Sequence, residues 1–279
     1  MMKRIGILFL AMMFVAGLGG VAQAGDTLAD IKAKGVLVCG VKDSTPGFGY
    51  IDEATREIVG YDVDFCRAIA KKMGVKVELK SVTSATRIPQ LIAGNVDLAA
   101  CTMTKNADRA KQIDFSYTYF FTGQKFITKK GTVKKLADLE GKKIGTAKGS
   151  TSEQNAKKAL PTATIQSFDD YAPAFLALQQ GKVFAITTDE SILANILYTA
   201  PDKTKYEIPN IQISNEPYGL GMRKGDTNLV NFVNTTLLEM EKKGDAKNIF
   251  NKWFGPKGKA FPINRGNFKI DGKKESWEK

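Results

Sequence analysis

The chain has 279 residues, 41 Lys and Arg against 29 Asp and Glu for a formal charge of +12, and no histidine. Without histidine, triads built on it are excluded, and zinc sites find little support because Cys39, Cys66 and Cys101 form no CxxC pair. The lysines are scattered without a run of five or six, so the charge reads as solubility and long-range attraction of anions rather than a nucleic-acid or membrane footprint.

In chain order, Lys3 and Arg4 precede an apolar run from Ile5 to Val21 that ends in Ala22-Gln23-Ala24, the pattern of a cleaved secretory signal over residues 1–24. The run is too short to span a bilayer, which takes about 20 apolar residues, and Gly17, Gly19 and Gly20 break it. Removing Lys3 and Arg4 lowers the charge from +12 to +10 on a chain that starts at Gly25. The remainder suits one large domain or two of ordinary size, at about 100 to 200 residues each. In an oxidising compartment two of the three cysteines could pair, and spacing does not say which. Cys66 falls on a helical apolar face with Phe65, Ile69, Ala70 and Met73, as a buried small residue would.

From Val36 onward apolar runs alternate with helical patterns, which predicts an α/β fold with mainly parallel sheets flanked by helices. VLVCGV is a strand and YDVDFCRAIAKKMG a helix, with Asp62 and Asp64 in its opening turn and Gly74 at its end. VKVELK, TRIPQLIAG and VDLAACTM follow as strand, helix and strand. The unit restarts near Leu139: KKIGTA, TIQSF and VFAITTD are strands, and SEQNAKKAL and YAPAFLALQQG are helices between them. LIAGNVDLAACTM and LQQGKVFAITTD echo one another and place Thr102 and Asp189 at equivalent strand ends, where open parallel sheets put ligands. YGLGMRKGD reads as a returning strand, followed by helices over 228–243 and 245–254. The Gly-, Pro- and Lys-rich tail from Gly255 reads as a strap anchored by Phe261, Ile263 and Phe268, with loose last residues.

The stretch from Ser81 to Phe121 spaces Arg87 and Arg109 around Thr102 and Thr104, and continues through Asp108-Arg109 to Asp114-Phe115-Ser116. This pattern resembles the periplasmic amino-acid-binding proteins of ABC importers, extracellular solute-binding protein family 3. The longer spacing from Thr104 to Arg109 is most similar to the glutamate/aspartate-binding branch. The resemblance implies a two-lobed fold with a two-strand hinge. Lobe 1 is then 25–123 with 218–279 and lobe 2 is 124–217, the chain crossing near 122–126 and 213–218.

It further implies a binding site. Arg109 holds the ligand's α-carboxylate, since a guanidinium pairs with a carboxylate through two parallel hydrogen bonds that lysine cannot make. Thr102 and Thr104 add hydroxyl and backbone groups to it, and Asp189 balances the α-ammonium. Lys42 and Arg87 stand near the side-chain end, Thr151 contributes from the turn Gly149-Ser150-Thr151, and Ser84 and Tyr171 line the cleft. The bland readings are solvated charges for Lys42, Arg87 and Arg109, helix caps for Asp189 and for Ser150 with Glu153, and ordinary strand threonines.

Three cations, Lys42, Arg87 and Arg109, against one anion, Asp189, favour a ligand with two carboxylates and one ammonium. The expected function is thus capture of glutamate or aspartate in the periplasm and delivery to a membrane permease and its ATPase, by a monomer with no cofactor, metal or nucleic acid and without catalysis. A receptor for glutamine or asparagine is the alternative. A lyase resembling cyclohexadienyl dehydratase would need a placed acid or base, and no carboxylate pair stands out for that. A surface adhesin driven by charge would show strong salt dependence without saturable small-ligand binding.

Overall fold

The alternating runs fold as two β-sheets flanked by helices in a computed structural model that describes residues 26–278. The secretory signal expected over residues 1–24 lies outside the described residues. Helix α1 (Thr27–Lys34) leads into β1 (Val36–Val41), apolar enough to be covered on both faces as an inner parallel strand requires. A short antiparallel ribbon follows, β2 (Ser44–Thr45), β3 (Gly49–Ile51) and β4 (Ile58–Val59). Next, α2 (Tyr61–Met73) ends on Gly74 at φ 78°, whose N–H donates to the freed carbonyls of Ala70 and Lys71. β5 (Lys76–Ser81) pairs parallel with β1, α3 (Arg87–Ile92) crosses over, and β6 (Leu98–Ala99) pairs parallel on the other side of β1.

The strand expected over residues 96–103 is therefore only two residues long. Thr102 adopts φ 49°, a left-handed conformation uncommon for a residue with a Cβ and incompatible with continuing the ladder. The chain bends away through α4 (Ala107–Ala110) and β7 (Ile113–Phe115).

β8 (Phe120–Lys129) carries the chain into the second sheet, which continues with β9 (Lys143–Ala147), α5 (Thr151–Ala159), β10 (Thr164–Phe168) and α6 (Tyr171–Gln179). It is completed by β11 (Ala185–Asp189), α7 (Glu190–Thr199), β12 (Tyr206–Glu207) and β13 (Ser214–Tyr218). The chain then returns through β14 (Gly221–Arg223), antiparallel between β6 and β7, and ends its regular structure with α8 (Thr227–Lys243) and α9 (Asp245–Phe254). Strand orders are β5-β1-β6-β14-β7 and β10-β9-β11-β8-β12, with β13 also on β8. Each sheet has a parallel triplet, β5-β1-β6 or β10-β9-β11, completed by antiparallel strands.

β8 and β13, the strands that enter and leave the second sheet, pair antiparallel from Phe120 opposite Tyr218 to Gln124 opposite Ser214. Around their first-sheet end gather Phe48, Tyr61, Phe120, Tyr218, Phe250 and Phe254, all buried, with neighbouring rings such as Phe48 and Phe120 5.0 Å apart and nearly perpendicular. Burying one such side chain contributes about 1.5–3 kcal/mol. Because the cluster grips both crossing strands, it fixes how the strand ends of the two sheets face one another.

The tail is a strap in which Phe261 is only partly covered: the residue is 39 % exposed, its ring packs edge-on against Tyr198 with centroids 6.0 Å apart, and its backbone N–H donates to Asn195 Oδ1 of α7 at 2.8 Å. Gly255, Ala260 and Ile270 are the buried tail residues, and Arg265 pairs with Glu241 of α8. The three cysteines are free thiols, all buried. No helix among the described residues is long and apolar enough to cross a membrane.

Candidate functional site

All nine residues singled out in the sequence lie between 0 and 7 % exposed, so the solvated-charge readings of Lys42, Arg87 and Arg109 fail. Burying a cation demands partners. Arg87, the first residue of α3, donates through Nη1 to the carbonyls of Cys101 at 2.7 Å and Thr102 at 3.1 Å, while its buried Nε has no protein partner. Arg109, in α4, donates to the Thr104 carbonyl at 2.8 Å and, across to the second sheet's side, to the Gly149 carbonyl at 3.4 Å. Arg87 acts electrostatically on Lys42, Arg109, Tyr171 and Asp189, which brings all five into one neighbourhood. Burial first, then the charge of Arg87, lowers the Arg109 pKa to about 9. Two guanidinium groups that raise each other's energy in this way are poised for an anion.

Asp189 closes β11 and occupies the N-cap position of α7, yet its side chain makes no cap hydrogen bond. Its Oδ2 instead accepts from the Tyr218 hydroxyl, and its buried Oδ1 has no protein partner. A carboxylate that forgoes the cap and keeps a buried free acceptor is placed for a cation. Burial, followed by the charge of Glu216, pushes its pKa up to about 8 against the opposing pull of the Tyr218 hydroxyl, Arg87 and Arg109.

Thr104 and Thr151 meet across the two sheets, with hydroxyls 3.4 Å apart. The Ser150 hydroxyl caps α5 as expected, accepting from Glu153 N at 3.1 Å, but Glu153 reaches Gly149 N at 2.9 Å rather than Ser150 N, so the capping box is not reciprocal. Gly149 has φ 75°, and a Cβ there would lie 2.8 Å from the Ala85 backbone, so only glycine allows this approach of the two sides. Ser84 is buried beside Ala85 on the loop into α3. Tyr171 opens α6, with its ring 5.8 Å from Lys42 Nζ.

Several residues of this neighbourhood escaped the sequence reading. Lys42 Nζ does not await a ligand carboxylate alone: Asp170 Oδ2 lies 3.0 Å away and also accepts from Ser44 Oγ at 2.6 Å. Glu216, on β13, is 1 % exposed and accepts from Thr104 at 2.5 Å, Thr151 at 2.9 Å and Asn155 at 3.0 Å, and from Ser214. The count of three cations against one anion is therefore corrected: Asp170 pairs with Lys42, Glu216 acts on Arg109, and Arg87 acts on the buried Asp62. Asp170 could have been noticed as the acid before a helix start; nothing local marks Glu216.

Asp62, which the sequence suggests as a simple helix-dipole residue, is fully buried and supports the strained strand end. Its Oδ2 accepts from Thr102 N at 2.8 Å and its Oδ1 from the Tyr119 hydroxyl at 2.6 Å. Burial raises its pKa to about 7. A raised carboxyl favours the protonated fold, so this contribution is present below the unfolded value near 3.9 and is lost as pH rises through about 7. Asp62→Asn, which mimics the protonated acid, is expected to flatten the fall in stability between pH 4 and 7 and to gain up to about 4 kcal/mol at pH 8. Urea melts at several pH values check this; an unchanged slope would refute it.

The sequence profile of the bacterial extracellular solute-binding proteins, family 3, matches residues 37–256. The chain belongs to this family. It is 39 % identical over 233 residues to the ABC transporter glutamine-binding protein GlnH of Bacillus subtilis (strain 168), covering 82 % of this chain and 84 % of that one. It is 32 % identical over 270 residues to the glutamate/aspartate import solute-binding protein of Salmonella typhimurium, covering 91 % and 89 %. Among solved structures, an ancestral arginine-binding protein bound to glutamine superposes with a TM-score of 0.75 at 41 % identity, covering 79 % of this chain and 98 % of that one. The fold is thus the two-lobed one, each sheet with its helices forming the body of a lobe.

Proposed function

We propose that this chain is a receptor that closes two lobes around one L-amino acid with an uncharged amide side chain, glutamine foremost, and delivers it to the permease and ATPase of an ABC importer. Lobe 1 comprises 25–123 and 218–279 and lobe 2 comprises 124–217, with β8 and β13 as the hinge. Arg109 and Arg87 take the α-carboxylate, Asp189 the α-ammonium, and Thr102, Thr104, Thr151, Ser84 and Tyr171 line the cleft. The observation that carries the choice of ligand is the Lys42–Asp170 pair at 3.0 Å, which neutralises the cation otherwise available to a side-chain carboxylate. A zwitterion with a neutral side chain adds no net charge to the site, whereas glutamate brings one more buried anion beside Asp170, Asp189 and Glu216. The likeness to glutamine-binding proteins, at 39 and 40 % identity, supports the same reading.

A receptor for glutamate and aspartate is the second reading, supported by the buried cations Lys42, Arg87 and Arg109 and by the 32 % identical glutamate/aspartate relatives. Closure follows because a ligand touching both lobes binds the closed state better and shifts that population. Residues 1–24 would direct the chain to the periplasm, where it would act as a monomer.

Calorimetric titration of protein unfolded and refolded to strip carried-over ligand separates the readings. Saturable one-to-one binding of L-glutamine in preference to L-glutamate, L-aspartate and L-arginine is expected. Preference for the acidic pair would favour the second reading, and no saturation by any amino acid would sink the receptor itself. Conversion of prephenate or arogenate to aromatic products would point to the lyase instead.

A further inference from the structure

Resting on that reading, we propose that the C-terminal strap is a latch on closure: the Phe261 N–H, carried by lobe 1, holds the buried Asn195 side chain of lobe 2 only while the lobes are shut, and so tightens the binding of every ligand by one common factor.

The strap is tied to lobe 1 on both sides of Phe261. Its first part follows α9, with Lys259 N donating to the Lys252 carbonyl at 3.1 Å, Ala260 N to that of Trp253 at 2.8 Å and Ile263 N to that of Phe254 at 2.8 Å. Further on, Arg265 pairs with Glu241 of α8 at 2.6 Å. Between these ties Phe261 N turns away from lobe 1 and donates to Asn195 Oδ1 at 2.8 Å. Asn195 belongs to α7, which packs on β8 and β11 and so moves with lobe 2.

Asn195 is 1 % exposed, and a buried amide needs its polar atoms engaged. Its Nδ2 donates to the Ser191 carbonyl at 2.7 Å, which leaves Oδ1 as the acceptor that faces the strap. The turn between β2 and β3 closes the same junction from lobe 1: a side-chain carbon at Gly47 would stand 3.1 Å from both Asn195 Oδ1 and Ala260 Cβ. Tyr198, also on α7, meets the Phe261 ring edge-on.

This junction stands apart from the ligand. Asn195 lies six residues beyond Asp189, about 9 Å along the helix axis. The lobes described here are shut, because Thr104 meets Thr151 and Ala85 meets Gly149 across the cleft. Opening carries Asn195 away from a strap that α8 and α9 hold in place, so the bond belongs to the closed state. A contact of the closed state that touches no ligand acts through population and not through recognition, and it scales all affinities alike.

The test uses two variants that remove the same bond from opposite sides, Asn195→Ala and Phe261→Pro. Phe261→Ala, which loses the ring but keeps the N–H, is the reference for the proline variant. Calorimetric Kd values are measured for L-glutamine, L-asparagine and L-glutamate on refolded protein, with the release rate of glutamine by stopped flow. One shared rise in all three Kd values of about three- to tenfold, the scale of one hydrogen bond, is expected together with faster release. Phe261→Pro carries the test if Asn195→Ala does not fold. Unchanged Kd values overturn the proposal and make the strap a pivot that stays engaged in the open form. Tighter binding overturns it too, since the strap would then resist closure, and a rise confined to one ligand would place the effect in Asp189 instead. Tighter wild-type binding of glutamate with the same shared factor in the variants supports the latch and overturns only the choice of glutamine. Absence of saturable binding of any amino acid to the wild type removes the receptor reading and this proposal together.

Discussion

Asp189→Asn is expected to weaken amino-acid binding by at least a hundredfold and to abolish its dependence on pH. Removing one member of a buried charge pair costs about 2–5 kcal/mol, because the other charge, here the ligand ammonium, remains desolvated without a counterion. The 3 % exposure of Asp189 leaves little solvent to soften that cost. In the wild type the carboxyl has a pKa of about 8, raised by burial and by Glu216. Only the ionised form holds an ammonium, so below that pH each binding event must expel a proton. Affinity should therefore rise about tenfold per pH unit from 6 toward 8 and then level. Calorimetry in two buffers with different heats of protonation would reveal the proton released at pH 7. The charges facing this group, Glu216, Arg87 and Arg109 with the Tyr218 hydroxyl, are retained in the variant, so its flat profile would assign the proton to Asp189. A wild-type affinity constant between pH 6 and 8 would show that Asp189 is already ionised or does not meet the ligand.

Asp170→Ala should open the two lobes rather than unfold the chain. In a rigid interior, deleting one partner of a buried ion pair costs about 3–5 kcal/mol of stability. Lys42 is fully buried, and burial already lowers its pKa, with Asp170 as the main opposing influence. Yet Lys42 follows β1 of the first sheet and Asp170 precedes α6 of the second, so moving the lobes apart rehydrates the ammonium without breaking either core. The expected result is a modest loss in the denaturation midpoint, about 1 kcal/mol from the lost cap and residual contacts of Asp170. The larger part is expected as a fall of about a hundredfold in ligand affinity, equivalent to ~3 kcal/mol, and as a larger radius of gyration in solution scattering. Raising the pH should relieve part of the defect, because a lysine without its counterion can shed its proton and return neutral to the closed form. The double variant Lys42→Met with Asp170→Ala should recover closure, since it leaves no charge to desolvate. A stability loss of 3 kcal/mol or more with unchanged affinity would instead mean that Lys42 is caged within one rigid body.

Local chemistry made much of this protein legible in its sequence. Apolar runs such as VLVCGV and TIQSF became parallel strands, and Gly74 ended its helix in the left-handed conformation that glycine permits. The spacing of Arg87, Thr102, Thr104 and Arg109 identified residues that are all buried together, because a pattern within some twenty residues is fixed by one strand end and its flanking helices. Asp189 was found through its equivalence to Thr102, a relation that the repeat of helix, glycine and strand carries in the sequence itself.

The charge balance of the cleft was a different matter. Asp170 lies 128 residues from Lys42, and Glu216 lies 112 from Thr104 and 65 from Thr151. No periodicity or motif records such distances; they arise only once β8 and β13 bring the two sheets together. A side chain's charge is written in the sequence, but whether that charge is spent on another residue or left for a ligand depends on which groups share its low-dielectric surroundings. The sequence thus determined the elements, the lobed fold and a set of cations that lie buried together, and the tertiary structure alone decided which of those cations are already paired.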